Sequence, residues 1–229
     1  MFIAIIGSNG FVGKNLVKVL KKKNKLIKVT RATTFSKINK NVDTVIHAAN
    51  SSKKYEANLN PKKDFEHSTA KTKKILKYFK SKKIILISTI SVRTEKNAYS
   101  HNRKICENLV INENKKNLVF RLPVLFNPQA KRGLLYDLIK NKKIYYKKST
   151  LINPLSITEV CNYIHKNINS KKQIHEIGSS KKVTLDYIAN EIKSKSEFGT
   201  KKTNLVSKKN RSINYSLKKI IFELKYFQK

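Results

Sequence analysis

Phe2-Ile-Ala-Ile-Ile-Gly-Ser-Asn-Gly-Phe-Val-Gly13 is the stretch whose reading decides the fold. Phe2–Ile6 is a short, Ile-rich apolar run, the pattern of a buried strand. It breaks at Gly7, and a helical pattern starts near Phe11. Gly7, Gly10 and Gly13 stand three apart. Gly7 permits a tight turn off the strand. Gly10 lets backbone approach a pyrophosphate, and Gly13 lets the first helical turn pack close. A glycine triplet alone is a weak signal. Between a strand and a helix it has the context that a dinucleotide-binding turn requires. Asn9, Phe11 and Val12 fall inside this turn and complete the candidate cofactor loop.

Working outward, Phe11–Lys23 reads as a helix with Phe11, Val12, Leu16, Val17 and Leu20 on one face. Leu26–Thr30 reads as the second strand and ends at Arg31. An acid at that strand end would bind ribose hydroxyls, whereas an arginine accommodates a 2′-phosphate. No acid occurs between Leu26 and Val42, which favours NADP over NAD. Asp43–Asn50 contains a third strand around Val45 and Ile46. The small residues Ala48 and Ala49 at its end leave room for a ligand. The interval between these strands is too short for a full crossover helix. Asn50–Asp64 is polar and reads as a loop. Phe65–Phe79 reads as a helix, Lys83–Ile87 as a strand, and Tyr99–Val110 as a helix. Leu118–Phe120 reads as a further strand, and Pro123 and Pro128 punctuate the segment after it. Leu134–Ile139 and a segment opened by Thr158 as N-cap read as helices, and Gln173–Ile177 as a last core strand. Thr184 and Ser216 are expected to cap two further helices.

The chain has 229 residues and a formal charge of +37, with 39% hydrophobic residues. Its lysines occur in nearly every segment, and no aromatic-plus-basic nucleic-acid module appears. The charge therefore reads as background, with no nucleic-acid role. Cys106 and Cys161 lack metal-ligand spacing, so no metal and no disulfide framework is expected. No apolar run approaches a membrane span, and a cytoplasmic location with no membrane partner is the expectation.

Taken together, Gly7-x-x-Gly10-x-x-Gly13, Val45-Ile-His-Ala-Ala49, Ser88-Thr-Ile-Ser-Val92 and Tyr99 with its helix resemble the extended short-chain dehydrogenase/reductase family. These are NAD(P)-dependent enzymes that epimerise, dehydrate or reduce nucleotide-linked sugars. Arg121–Pro128, Ile157-Thr-Glu159 and Ile177-Gly-Ser179 resemble later family segments, so the likeness covers roughly residues 1–190. It implies a Rossmann-type α/β fold, a doubly wound parallel sheet with a reduced C-terminal substrate-binding annex. Residues 1–130 would form the dinucleotide-binding core. Residues 131–229 would form the small substrate region, interleaved with that core. Tyr136, Tyr145, Tyr146 and Lys147 could line the annex.

The resemblance implies Tyr99 as acid/base. Thr89 is the hydroxyl that bonds the substrate oxygen, with Ser88 and Ser91 as fallbacks. The family carries a lysine four residues after the tyrosine, and here that position is Arg103. Lys104 is one residue further, about 140° from Tyr99 around a helix. Arg103 would keep the charge near the tyrosine and the ribose, but its planar fork is no ammonium. His67 reads as a surface residue and His47 as structural. The implied activity is reduction of a nucleotide-linked keto-sugar with NADP (or NAD). The alternatives are an epimerase or dehydratase recycling bound NAD, and a dinucleotide-binding protein without catalysis. Helices Phe65–Phe79 and Tyr99–Val110 would be the surface of a homodimer.

Overall fold

A computed structural model describes residues 1–33, 38, 41–127, 130–207, 213 and 216–227. In chain order the elements are β1 (Phe2–Ile6), α1 (Phe11–Leu20), β2 (Lys25–Val29), β3 (Thr44–His47), α2 (Lys54–Leu59) and α3 (Pro61–Phe65). A π-helical turn (Glu66–Ala70) leads into α4 (Lys71–Tyr78), β4 (Lys83–Thr89), α5 (Ser91–Thr94), α6 (Ala98–Glu113) and β5 (Leu118–Leu122). Then come β6 (Leu125–Phe126), α7 (Leu134–Ile139), β7 (Ile144–Tyr146), β8 (Leu151–Ile152), β9 (Leu155–Ser156) and α8 (Ile157–Lys166). The last elements are β10 (Ile174–Glu176), β11 (Val183–Thr184), α9 (Leu185–Glu191), β12 (Phe198–Lys201) and α10 (Leu217–Tyr226).

Two compact units result: Met1–Arg121 with Cys161–His175, and Leu122–Val160 with Glu176–Lys229. The first is built on a six-stranded sheet in the order β10-β5-β4-β3-β1-β2. β1 pairs in parallel with both β2 and β3, and β3 in parallel with β4. The strand order reverses at β1, so the ends of β1 and β3 form the switch point where α/β sheets take ligands. The central strands β1, β3, β4 and β5 are largely buried on both faces, as in sheets covered by helices on both sides. Along β1, Ala4 and Ile6 join one core with Val45, Ile75, Phe79, Leu86, Cys106 and Val110. Ile3 and Ile5 alternate to the other face, where α1 packs and Leu16 and Leu20 are fully buried.

Three short two-stranded ladders organise the second unit: β11–β8, β12–β7 and β6–β9. Thr184 caps α9 by accepting a hydrogen bond from the Tyr187 backbone N–H. α10 follows Ser216 and buries Ile220, Ile221 and Leu224 at helical spacing.

Some expectations change. Asn50–Asp64 is largely helical, containing α2 and α3. Asn60 accepts from the Lys63 backbone N–H and Pro61 occupies the first turn, a start signal that the polar sequence around it obscures. α8 begins at Ile157, and Ser156 rather than Thr158 accepts from the Glu159 backbone N–H. Pro128, the interval 34–37 with 39–40, and much of 208–215 lie outside the described residues.

His47, the last residue of β3, is fully buried. Its Nε2 lies 3.1 Å from Thr72 Oγ1, and the Ala49 backbone N–H donates to Nδ1. Burial first, then the Lys71 and Arg103 charges, lower its pKa to about 3. An unfolded chain protonates the same ring near its ordinary 6.5, so the unfolded state binds more protons as pH falls from 7. The neutral ring therefore contributes stability at pH 7 that is lost on acidification. Between pH 7 and pH 5 this site should cost about 2 kcal/mol. Urea titrations of the wild type and His47→Gln at both pH values check it. The pH-dependent loss should be smaller in the variant by about that amount.

Candidate dinucleotide and tyrosine site

The glycine turn is held by backbone alone. Gly7 has φ +87°, and the Gly7 and Ser8 backbone N–H groups both donate to Val29 O at the end of β2. A Cβ on Gly7 would lie 2.7 Å from Ala48 O and 2.8 Å from Ala49 Cα. The loop after β1 thus lies directly against the end of β3. A Cβ on Gly13 would lie 2.1 Å from Gly7 O, so α1 is seated on the turn itself. A Cβ on Gly10 would meet only Gly7 O, at 3.2 Å, and Asn9 and Gly10 are exposed. α1 starts at Phe11 with no side-chain cap and no acid in its first turn. Phe11 and Val12 are half-buried there. Free first-turn N–H groups beside an open glycine suit an anion, so the residues present fit a dinucleotide pyrophosphate. Arg31 follows β2 by two residues and is exposed.

The tyrosine lies on α6. Asn97 caps that helix reciprocally with Ser100, and the Tyr99 backbone N–H donates to Asn58 Oδ1. Tyr99 is buried, and the Arg103 guanidinium carbon is 4.5 Å from its ring centroid. Arg103 itself is 2% exposed. Its fork is held by Asp64: Nη2 donates to Oδ1 at 2.9 Å and Nη1 to Oδ2 at 3.3 Å. Nη2 also donates to Ser51 O at 2.7 Å, and Asn102 Nδ2 donates to Asp64 Oδ2 at 2.9 Å. Arg103 Nε is buried without a partner. On the same ring, Lys54 Nζ lies 5.8 Å from the centroid and forms an ion pair with the buried Glu95. Two ion pairs therefore flank one phenol. Burial, opposed by the Arg103 charge and hydrogen bond and reinforced by Asp64 and Glu95, holds the Tyr99 pKa above its ordinary value.

Thr89 ends β4 and is half-buried. Its hydroxyl donates to Ser91 Oγ and accepts from the Ser91 backbone N–H, both at 3.2 Å. No hydrogen bond among the described residues joins it to Tyr99. Ser88 is committed elsewhere: it donates to Glu107 Oε1 at 2.6 Å, and Glu107 also pairs with Arg121. Ser91 is buried. His67 is exposed. The structure thus brings Gly7, Gly13, Ala48 and Ala49 together, and separately places Arg103 on Tyr99. Sequence reasoning missed Asp64, Lys54, Glu95 and Lys71. The Asn60-Pro61 helix start was the one local signal for α3, and nothing local marks Asp64 as the partner of Arg103.

A family model described as the NAD dependent epimerase/dehydratase family matches residues 3–106. The match covers 104 of the 229 residues, and over that stretch the chain is similar to the family. The matched span runs from β1 through the glycine turn and Tyr99 to Cys106 in α6. A search of curated proteins gives no match. Among solved structures, RMD from Pseudomonas aeruginosa, complexed with NADPH, superposes with a TM-score of 0.81 at 15% identity, over 99% of this chain and 98% of that one. A UDP-N-acetylglucosamine 4-epimerase from Methanobrevibacter ruminantium, in complex with UDP-N-acetylmuramic acid, gives 0.80 at 13% identity, over 99% and 96%. A dTDP-4-dehydrorhamnose reductase from Clostridium acetobutylicum gives 0.80 at 16% identity, over 100% of both chains. At these identities the likeness establishes the fold: a doubly wound α/β sheet of the Rossmann type. Among the described residues, no helix is long and apolar enough to cross a membrane.

Breaking a buried pair by deleting one partner leaves an uncompensated charge. Asp64→Ala should therefore lower unfolding free energy by about 3–5 kcal/mol. Asp64→Asn keeps the shape and one acceptor and should lose less. Chemical denaturation of the two variants beside the wild type measures both.

Proposed function

We propose that this chain is an NAD(P)-dependent oxidoreductase that reduces a nucleotide-linked keto-sugar, with Tyr99 as the proton donor. One observation supports the proton-donor role. Tyr99 is buried, and its phenol is held protonated well past neutral pH, with the Arg103 guanidinium on its ring. A phenol poised as an acid suits a carbonyl oxygen that gains a proton; an alcohol oxidation needs the phenolate first. A reduced nicotinamide, when bound, supplies hydride to the carbonyl carbon. Tyr99 O–H then gives its proton to the developing oxygen. Arg103 stabilises the phenolate left behind, and Asp64 fixes where that positive charge stands. Thr89, at the end of β4, is the second hydroxyl assigned to the substrate oxygen.

Cofactor binding is assigned to Gly7, Asn9, Gly10, Phe11, Val12, Gly13, Ala48 and Ala49 around the turn. Arg31 is assigned to a 2′-phosphate, which favours NADP and net reduction. The neighbours named with NADPH, with a nucleotide sugar, or as a keto-sugar reductase support this reading at the level of chemistry.

The same geometry favours one second reading, a dinucleotide-binding protein without catalysis. Arg103 already serves Asp64 and the Ser51 carbonyl, so its fork has little left for a ribose.

Following NADPH oxidation across a panel of nucleotide-linked keto-sugars separates these. Turnover is expected for at least one substrate, with Tyr99→Phe reducing kcat by about 10²–10⁴-fold. Tight NADPH binding with no turnover on any substrate would favour the second reading. Copurifying NAD that does not exchange would instead place the chain with the epimerases and dehydratases that regenerate their cofactor.

A further inference from the structure

The first 42 residues contain no Asp or Glu; the first acid in the chain is Asp43. Asp43 lies at the wrong end of the sheet to neutralise the glycine turn. It precedes β3 and accepts from the Phe2 backbone N–H at the start of β1. The opposite end of the sheet therefore carries cations that Asp43 cannot reach. Arg103 there is neutralised by Asp64. Arg31 and Lys71 enter no ion pair among the described residues.

Lys71 is the unexpected member. It opens α4, yet its Nζ donates to Ala49 O, just beyond β3, at 3.2 Å. Ala49 is the residue whose Cα would crowd a Cβ on Gly7. The ammonium is thus delivered to the β3 side of the glycine turn, while Arg31 stands beyond β2 on the other side. Burial and then the Arg31 and Arg103 charges pull the Lys71 pKa down. That pattern describes a half-buried ammonium among like charges, a costly arrangement unless an anion joins it.

A π-helical turn lies directly before Lys71. Lys71 is seven residues after Asp64, and seven residues of unbroken α-helix would return it to within about 20° of the Asp64 face. The π-helical turn Glu66–Ala70 rotates the helix between them. Asp64 is directed to Arg103 and Lys71 to Ala49, and no ion pair joins the two.

We propose that Lys71 is a ligand for the pyrophosphate of the bound dinucleotide, closing the β3 side of the glycine turn. This rests on the dinucleotide reading above and deepens it. The pyrophosphate is common to NADH and NADPH, whereas Arg31 is assigned to the 2′-phosphate of NADPH alone. Lys71 should therefore act on both nucleotides and Arg31 on one.

Equilibrium binding of NADPH and NADH tests this on the wild type, Lys71→Gln, Lys71→Arg, Arg31→Gln and Lys18→Gln. Lys18 is an exposed lysine of α1 and controls for the loss of one charge. Lys71→Gln should weaken both nucleotides about 10–100-fold, the loss of one charge-assisted contact. Lys71→Arg should retain most of the affinity, and Lys18→Gln should stay within twofold. Arg31→Gln should weaken NADPH only. If Lys71→Gln binds both nucleotides within twofold of wild type, or loses NADPH alone, the assignment of Lys71 is wrong while the dinucleotide reading stands. If the wild type binds neither nucleotide, both fall together.

Discussion

Everything in the first unit depends on two pieces of backbone passing closer than side chains allow. Gly13 of α1 rests on Gly7 O, and Gly7 rests on Ala48 and Ala49. The turn is tied to β2 through Val29 O, and the start of α1 is thereby held over the ends of three parallel strands. Uncapped helical amides and open backbone at Gly10 result from this contact. A methyl group at Gly7 or Gly13 would meet backbone atoms, which cannot move aside as a flexible side chain can. The open backbone at Gly10 is thus a consequence of close packing.

Charge is handled in the opposite way. The chain has 14 acids against 51 lysines and arginines, so few cations can find a carboxylate. The acids that are buried are all placed against cations: Asp64 on Arg103, Glu107 on Arg121, and Glu95 on Lys54. Buried pairs of this kind seldom add much stability over an apolar core, but they fix geometry, because each partner is costly to leave alone. Here they fix what faces Tyr99. Two cations lie over the ring, and each is neutralised by a buried carboxylate. Burial consequently outweighs the guanidinium in setting the phenol's affinity for its proton.

This bears on what Arg103 does beside the tyrosine, where a lysine would act differently. A lysine ammonium is a compact charge that can reach forward to a ribose and lower the tyrosine pKa. Arg103 instead places its guanidinium carbon 4.5 Å from the ring centroid, with its fork turned to Asp64 and Ser51. Keeping the charge while changing its shape alters the partner, and so the electrostatic surroundings of the phenol. The second cation near the turn, Lys71, comes from α4 and donates to Ala49 O.

The sequence by itself determined the sheet and the turn. Apolar runs at β1, β3, β4 and β5 declare strands buried on both faces, and Gly7, Gly10 and Gly13 are legible because conformational constraints act within a few residues. Thr184 as a helix cap was legible for the same reason. The α2–α3 region was not, because Tyr55 and Leu59 are exposed and leave no apolar period to read. Only the tertiary structure decided the surroundings of Tyr99. Asp64 and Arg103 are 39 residues apart, Glu95 and Lys54 are 41 apart, and Ser88 is drawn away by Glu107. Such pairings are set by how helices settle on the sheet and by the cost of burying an unpaired charge, and neither is written in local spacing.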